Sequence, residues 1–306
     1  MTSIAKQLKI SPRKRQQNLY AYLFLAPWLI GFFGLFLGPG LSSLYLSFTK
    51  YDVLSPPKFI GFDNYVFMFS RDPLFWSSLG RTFYYALVSV PLGVSGSMLL
   101  AVLLNSATKG MPFFRGLFFV PSLVPLVAAV ILWKWLLNSE WGLVNQGLTA
   151  IGVDDPPGWF IDRRWTIPSL IIMGLWQGLG GVQMIIFLAG LQGIPESLYD
   201  AAAVDGANRW HKFIHVTIPL LSPTIFFNTI LGVIGALQSF AGAFVATEGG
   251  PGFSTWFMGL HIWKQAFDYF NMGYGAALAW FFAAIIIVLT IIQLRLSRGW
   301  VFYYGE

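Results

Sequence analysis

Six long apolar stretches divide this chain, near residues 19–47, 82–104, 113–137, 167–191, 218–245 and 274–294. Each holds about 20 residues or more, the length a helix needs to cross a hydrocarbon core of roughly 30 Å. Arg115, at the start of the third stretch, and Lys134, near its end, are the charges inside these limits, and Trp133 and Trp135 flank Lys134. That placement lets its amine reach the interface while its stem stays among lipid. Between the stretches, "YDVLSPPKFIGFDNY" and "GVDDPPGWFIDRRW" carry the Pro, Gly and Asp of turn-rich loops. The pattern predicts an all-α polytopic membrane protein of about six spans. Its segments are a basic N-terminal stretch (1–18), a first span with its loop (19–81), a core (82–295) containing a loop at 192–217, and a tail (296–306).

Composition agrees: 56% of the residues are hydrophobic and 10% charged, against about a quarter charged in soluble domains. Lys and Arg orient the spans. With the N-terminus inside, Lys6, Lys9, Arg13, Lys14, Arg15, Lys109, Arg115, Arg209, Lys212, Arg295 and Arg298 are cytoplasmic. Seven others are outside (Lys50, Lys58, Arg71, Arg81, Arg163, Arg164 and Lys264), together with most of the acids. This positive-inside bias places both termini and loop 192–217 in the cytoplasm. The net charge of +6 is thus distributed by topology, forms no nucleic-acid-binding domain, and suits anionic lipid at the N-terminus. The first apolar run is too long for a signal-peptide core and no A-x-A site follows, so it reads as an uncleaved span. The absence of cysteine excludes disulfides, cysteine-ligated metal and thiol catalysis.

The polar stretch "DAAAVDGANRWHKFIHVTIP" (200–219) stands between two spans. Pro195 suits a first helical turn, and Glu196 and Asp200 favour the same N-terminal half. Gly206 can end that helix in the left-handed conformation, and Asn208 can cap a second one running from Arg209 to about Thr217. A short helix presenting alanines and carboxylates has the form of a plug for a groove on another protein.

Its spacing resembles the loop of binding-protein-dependent ABC importer permeases, E-A-A, three residues, Gly, nine residues, I-x-L-P. Here Asp200-Ala201-Ala202, Gly206 and Val216-Thr217-Ile218-Pro219 fill it, with Asp for Glu, Val for Ile and Ile for Leu. "FIGFDNY", "FFRGLFFVPSLVP", "GLVNQGL", "LAGLQGIPESLYDAAAVDGA" and "TEGGPGFST" are similar to the sugar-importing branch, the last to the type of the maltose permease's larger membrane subunit. The resemblance implies docking on an ATPase by Asp200, Ala201, Ala202 and Gly206, with Glu196 and Asp205 beside them. It also implies a second permease subunit forming a heterodimer, two ATP-binding-cassette subunits holding ATP and Mg, an extracytoplasmic solute-binding protein, a sugar substrate and a prokaryotic inner membrane.

The chain itself has no P-loop, G-x-S-x-G or H-E-x-x-H, so no cofactor is expected on it. His211 and His215 are four apart, too few ligands for a metal site. Polar side chains inside spans are candidates for a solute path. In the fourth span Trp176, Gly180 and Gln183 follow i, i+4, i+7 spacing, with Gln177 beside them. In the fifth, Asn228, Gly232, Gly235 and Ser239 form a small and polar stripe, with Gln238 adjacent. Amides, hydroxyls and an aromatic face suit a sugar, whereas the same residues can also serve helix packing. Two other readings stand beside the importer. A secondary transporter needs an ionisable group in a span centre. A membrane enzyme needs a carboxylate or histidine cluster, for which Asp154, Asp155 and Asp162 are the available acids.

Overall fold

The computed structural model describes residues 12–106 and 108–302. Of the basic N-terminal segment, Lys6 and Lys9 lie outside them, as do the side chains of Arg13 and Arg15. Helix α1 (Gln16–Ser47) leads into a two-stranded antiparallel ribbon, β1 (Thr49–Lys50) and β2 (Lys58–Phe59). The short α2 (Asp63–Ser70) precedes α3 (Phe75–Leu104). A pair bent by 96° follows, α4 (Met111–Leu123) and α5 (Leu126–Leu136), then α6 (Leu143–Ala150). A second pair, α7 (Thr166–Gly178) and α8 (Val182–Gln192), is bent by 48°. The small α9 (Glu196–Val204) precedes α10 (Arg209–Leu237). Last come α11 (Ala241–Thr247), α12 (Met258–Trp263) and α13 (Met272–Ser297). Among the described residues, helices α1, α3, α10 and α13 are each long and apolar enough to span, and the count reaches six when each bent pair is one span.

Three of the expected spans differ from straight helices. The stretch 113–137 breaks between Leu123 and Leu126 because Val124, which precedes Pro125, is extended (φ −71°, ψ 125°). The ring of a following proline pushes its predecessor out of the helical region. The stretch 167–191 breaks at residues 179–181. A Cβ on Gly180 would stand 1.9 Å from the Phe118 carbonyl oxygen, so the backbones of the two bent pairs touch there and only glycine fits. The stretch 218–245 is displaced: one continuous helix runs from Arg209 to Leu237, so the expected separate helix 209–217 is the foot of this span. Its turn Phe213–Thr217 is π-helical, a widening that accommodates the missing N–H of Pro219. Gln238 and Ser239 lie beyond its end.

Inside lipid, burying an apolar side chain gains little over leaving it among acyl chains, so close packing and polar links hold the spans together. Helix α3 is the hub, packed against α7, α8 and α10. Ala101, Phe187 and Leu221 are fully buried at one end of it, and Met68, Phe75 and Leu278 at the other. Arg115 donates from Nε and a terminal nitrogen to the Leu104 carbonyl (3.0 and 2.8 Å), fastening α4 to the end of α3. By contrast, α1 exposes most of its length, with Phe24 and Leu35 each 84% accessible, and docks on α13 through its final turns. The turn at Leu104, α9 and the tail share one end of the bundle. The ribbon, α2, α6, α11 and α12 share the other.

Candidate functional site

Tyr85, Ser89 and Gly93 on α3, Gly174 and Gly178 on α7, Gln183 on α8, and Leu231, Gly232 and Gly235 on α10 surround a cavity of about 290 Å³. A neighbouring space of about 240 Å³ is lined by Gln177, Gln238, Phe240 and Phe257, and it shares Tyr85, Gly174 and Ser239 with the first. Together they make an interior compartment whose polar groups are hydroxyls and amides, with no charged side chain in either lining. The Gln183 carboxamide stands between Gly93 of α3 and Gly232 of α10. Its Oε1 accepts from the Ser97 hydroxyl at 3.4 Å, and among the described residues its Nε2 makes no hydrogen bond. Gln177 donates from Nε2 to the Val124 carbonyl at 3.0 Å, tying α7 to the proline break.

The structure therefore brings Gln177, Gln183, Gln238 and Ser239 to one compartment, but not by the helical stripes expected. The break at 179–181 puts Trp176 and Gln183 on different helices. Trp176 packs edge-on against Trp133 with centroids 5.9 Å apart, away from both cavities. Asn228 is fully buried, donates to the Thr224 carbonyl within its own helix at 3.1 Å, and lines neither space. Gln238 and Ser239 reach the compartment from the bend after α10. The sequence reading missed Tyr85 and Ser89. The run Tyr85, Ser89, Gly93, Ser97 at every fourth residue of α3 was the available signal.

At the end of the bundle shared with the tail, α9 begins after Pro195 and closes on a glycine turn. Gly206 has φ +79°. Its N–H bonds the Ala203 carbonyl and the Ala207 N–H bonds the Ala202 carbonyl, at 3.0 and 2.9 Å, the paired bonds of a Schellman ending. The Asn208 side chain accepts from the His211 N–H at 2.9 Å and starts α10. Glu196, Asp200, Ala201 and Asp205 face solvent, and Ala202 is half-buried. Val204 is 89% exposed and Trp210 also projects. The opposite face is fixed: the Tyr199 hydroxyl meets the Thr217 hydroxyl at 3.0 Å. An apolar knob ringed by carboxylates thus sits on the foot of α10, the helix that carries Gly232 and Gly235 along the cavity roughly 35–40 Å away. His211 and His215 stack with ring centres 6.0 Å apart, and among the described residues no three His, Cys, Asp or Glu side chains gather.

At the opposite end, Asp72 is buried. Burial raises its pKa, but the bonds from His261 and Tyr274 and the Leu74 N–H outweigh it and hold the carboxyl at about 2. A depressed carboxylate contributes stability that is full above its ordinary value of 3.8 and lost as the pH falls through about 2. This carboxylate is therefore charged throughout the physiological range.

Residues 74–301 match the family described as "Binding-protein-dependent transport system inner membrane component". The chain is similar to the probable ABC transporter permease protein YesP of Bacillus subtilis (strain 168), 40% identical over 99% of this chain and 98% of that one. It is also similar to the lactose transport system permease protein LacF of Rhizobium radiobacter, 35% identical over 94% and 97% of the two chains. In fold it resembles a chain in the crystal structure of a bacterial ABC transporter involved in the import of the acidic polysaccharide alginate. The TM-score is 0.83 at 23% identity, covering 94% of this chain and 98% of that chain.

Proposed function

Because the chain belongs to the binding-protein-dependent transport system inner membrane components, a family of multi-pass permeases without a catalytic site of their own, we propose that it is one membrane-spanning half of an ATP-driven sugar importer. Its compartment of amides, hydroxyls and aromatic rings suits a polyhydroxylated solute: the amides bond hydroxyl groups and the rings cover C–H faces. The relative named for lactose supports the sugar class. The Lys and Arg bias supports a cytoplasmic α9 and cytoplasmic termini, and the bacterial relatives support a prokaryotic inner membrane.

The observation that carries the mechanism is the continuity of α10 from the exposed knob to the cavity wall. A partner ATPase that receives Ala201, Ala202 and Val204, with Glu196, Asp200 and Asp205 at the rim, grips the foot of this rod. When ATP and Mg draw two such ATPases together, the rod tilts and carries Gly232 and Gly235 with it. Tilting opens the compartment to one side or the other, and a solute delivered by an extracytoplasmic binding protein is released inward. A second permease completes the pathway as a heterodimer. The chain contributes positioning and passage, while bond breaking in ATP belongs to its partners.

Gentle extraction of the tagged chain from its native membrane, followed by mass spectrometry, tests the assembly. The expected companions are a P-loop ATPase and a second permease; recovery of the chain alone, under conditions that preserve other transporters, contradicts it. Gln183→Leu removes the unbonded Nε2 and the Ser97 partner without changing charge. It is expected to weaken import by about tenfold, the effect of one solute hydrogen bond with a buried partner left unpaired, while the complex assembles normally. Unaltered uptake kinetics across a panel of sugars would remove Gln183 from the path.

A further inference from the structure

Asp72, His261 and Tyr274 meet at the outer end of the bundle, from the turn before α3, from α12 and from α13. Asp72 accepts from His261 Nε2 at 2.7 Å, from the Tyr274 hydroxyl, and from the Leu74 N–H at 2.9 Å. His261 and Tyr274 are 1% and 7% exposed. The other imidazole nitrogen, Nδ1, faces the Trp256 indole N–H at 3.1 Å. An indole only donates, so Nδ1 must accept, and the ring proton sits on Nε2 and is given to Asp72. His261 is thus a neutral link between a donor and a carboxylate, and every member of the chain is satisfied.

A buried carboxylate is expensive and an apolar cluster would hold these helices as well, so what the polar chain supplies is fixed geometry. Trp256 closes the loop 248–257, which is itself stiff. The Thr247 and Thr255 hydroxyls meet at 2.6 Å, and Gly252 lies so close to the Arg163 guanidinium that a Cβ would stand 2.0 Å from it. One residue on, Phe257 packs on Tyr85 with centroids 5.3 Å apart and forms a wall of the compartment. The Met258 N–H bonds Thr82 of α3 at 2.8 Å.

Resting on the importer reading, we infer that Asp72, His261 and Tyr274 are positioning residues that clasp the outer loop to α3 and α13 and so hold Phe257 as the outer closure of the path. When α3 and α13 move, the loop moves with them and the compartment opens outward as a unit. Without the clasp, ATP hydrolysis continues but the outer closure no longer follows it.

The chain has no cysteine, so Met258→Cys places a single thiol at a fully buried position beside the clasp. Its labelling by a membrane-impermeant maleimide, measured on the assembled complex, reads the closure independently of any solute. His261→Phe is expected to speed labelling by about tenfold, the effect of losing a bond to a charged group. In the complex with native Met258 it is also expected to lower import per ATP hydrolysed by a similar factor. His261→Gln, which both donates and accepts, restores both. If His261→Phe does not assemble, Tyr274→Phe removes one bond of the three and gives the smaller change in the same direction. Labelling unchanged by these substitutions, or import and hydrolysis falling together in proportion, overturns the clasp. Faster labelling in a complex whose unmodified form imports no sugar would support the clasp and overturn the proposed function instead.

Discussion

Proline at position 206 is expected to abolish transport while leaving the chain inserted in the membrane. Gly206 has φ +79°, and the proline ring fixes φ near −65°. The substitution also removes the N–H that bonds the Ala203 carbonyl. The end of α9 would therefore unwind or turn in another direction, and the knob would lose its set on the foot of α10. The spans are insulated from this, because the turn is exposed and nothing lies within 4 Å of the glycine's missing Cβ. Space is not the constraint; backbone conformation is. Gly206→Ala separates the two: it costs about 1–2 kcal/mol for a left-handed non-glycine residue and should reduce transport without ending it. Uptake into membrane vesicles, normalised to inserted protein, measures both variants. Normal uptake by Gly206→Pro would refute the role of this turn in setting the knob.

Tryptophan at position 235 is expected to block import with little effect on assembly or basal ATP hydrolysis. Among the glycines that line the compartment, Gly178 and Gly235 have open space where a Cβ would stand, and Gly235 is the one on α10. A Cβ at Gly93 would meet Gln183 at 3.7 Å, and one at Gly232 would meet Val90 at 3.2 Å, whereas nothing lies within 4 Å at Gly235. An indole there enters the cavity of about 290 Å³ without pushing α10 off α3. Solute and indole compete for the same volume, so loss of import should approach completeness. Gly235→Ala, which leaves most of the space open, should import nearly as well as the native chain. Equal uptake by Gly235→Trp would place the path elsewhere.

These two sites were legible in the sequence to different degrees. The turn at 195–208 was readable because helix ends are local: Pro195, Gly206 and Asn208 each act on backbone groups within a few residues. The number of spans was readable because a bilayer demands about 20 apolar residues of any helix that crosses it. The same uniform apolarity hid where the helices bend. Pro121 and Pro125 signalled the first break, but within lipid a proline can sit inside a helix, as Pro91 does in α3. The compartment was half legible, since Gln177, Gln183, Gln238 and Ser239 reach it while Trp176 and Asn228 do not. Which face of a membrane helix turns inward depends on neighbours far off in the chain. The Asp72–Tyr274 bond, across 202 positions, has no local signature at all. Asp72 was counted only among the acids of the outside segments, with the second span expected to begin at residue 82, whereas α3 begins at Phe75 and brings its start within three residues of Asp72.

On the proposed importer function, α9 is the grip by which an ATPase moves this chain. Ala201→Cys gives a unique thiol on its exposed face, and Leu54→Cys, 93% exposed at the opposite end, gives the control. Each is treated with a short thiol-to-amine cross-linker in native membranes, and the adducts are identified by mass spectrometry. The expected result is an adduct of Ala201→Cys with a P-loop ATPase, and none with that protein from Leu54→Cys. An ATPase that copurifies with the chain yet never cross-links to position 201, or does so equally from position 54, would contradict it.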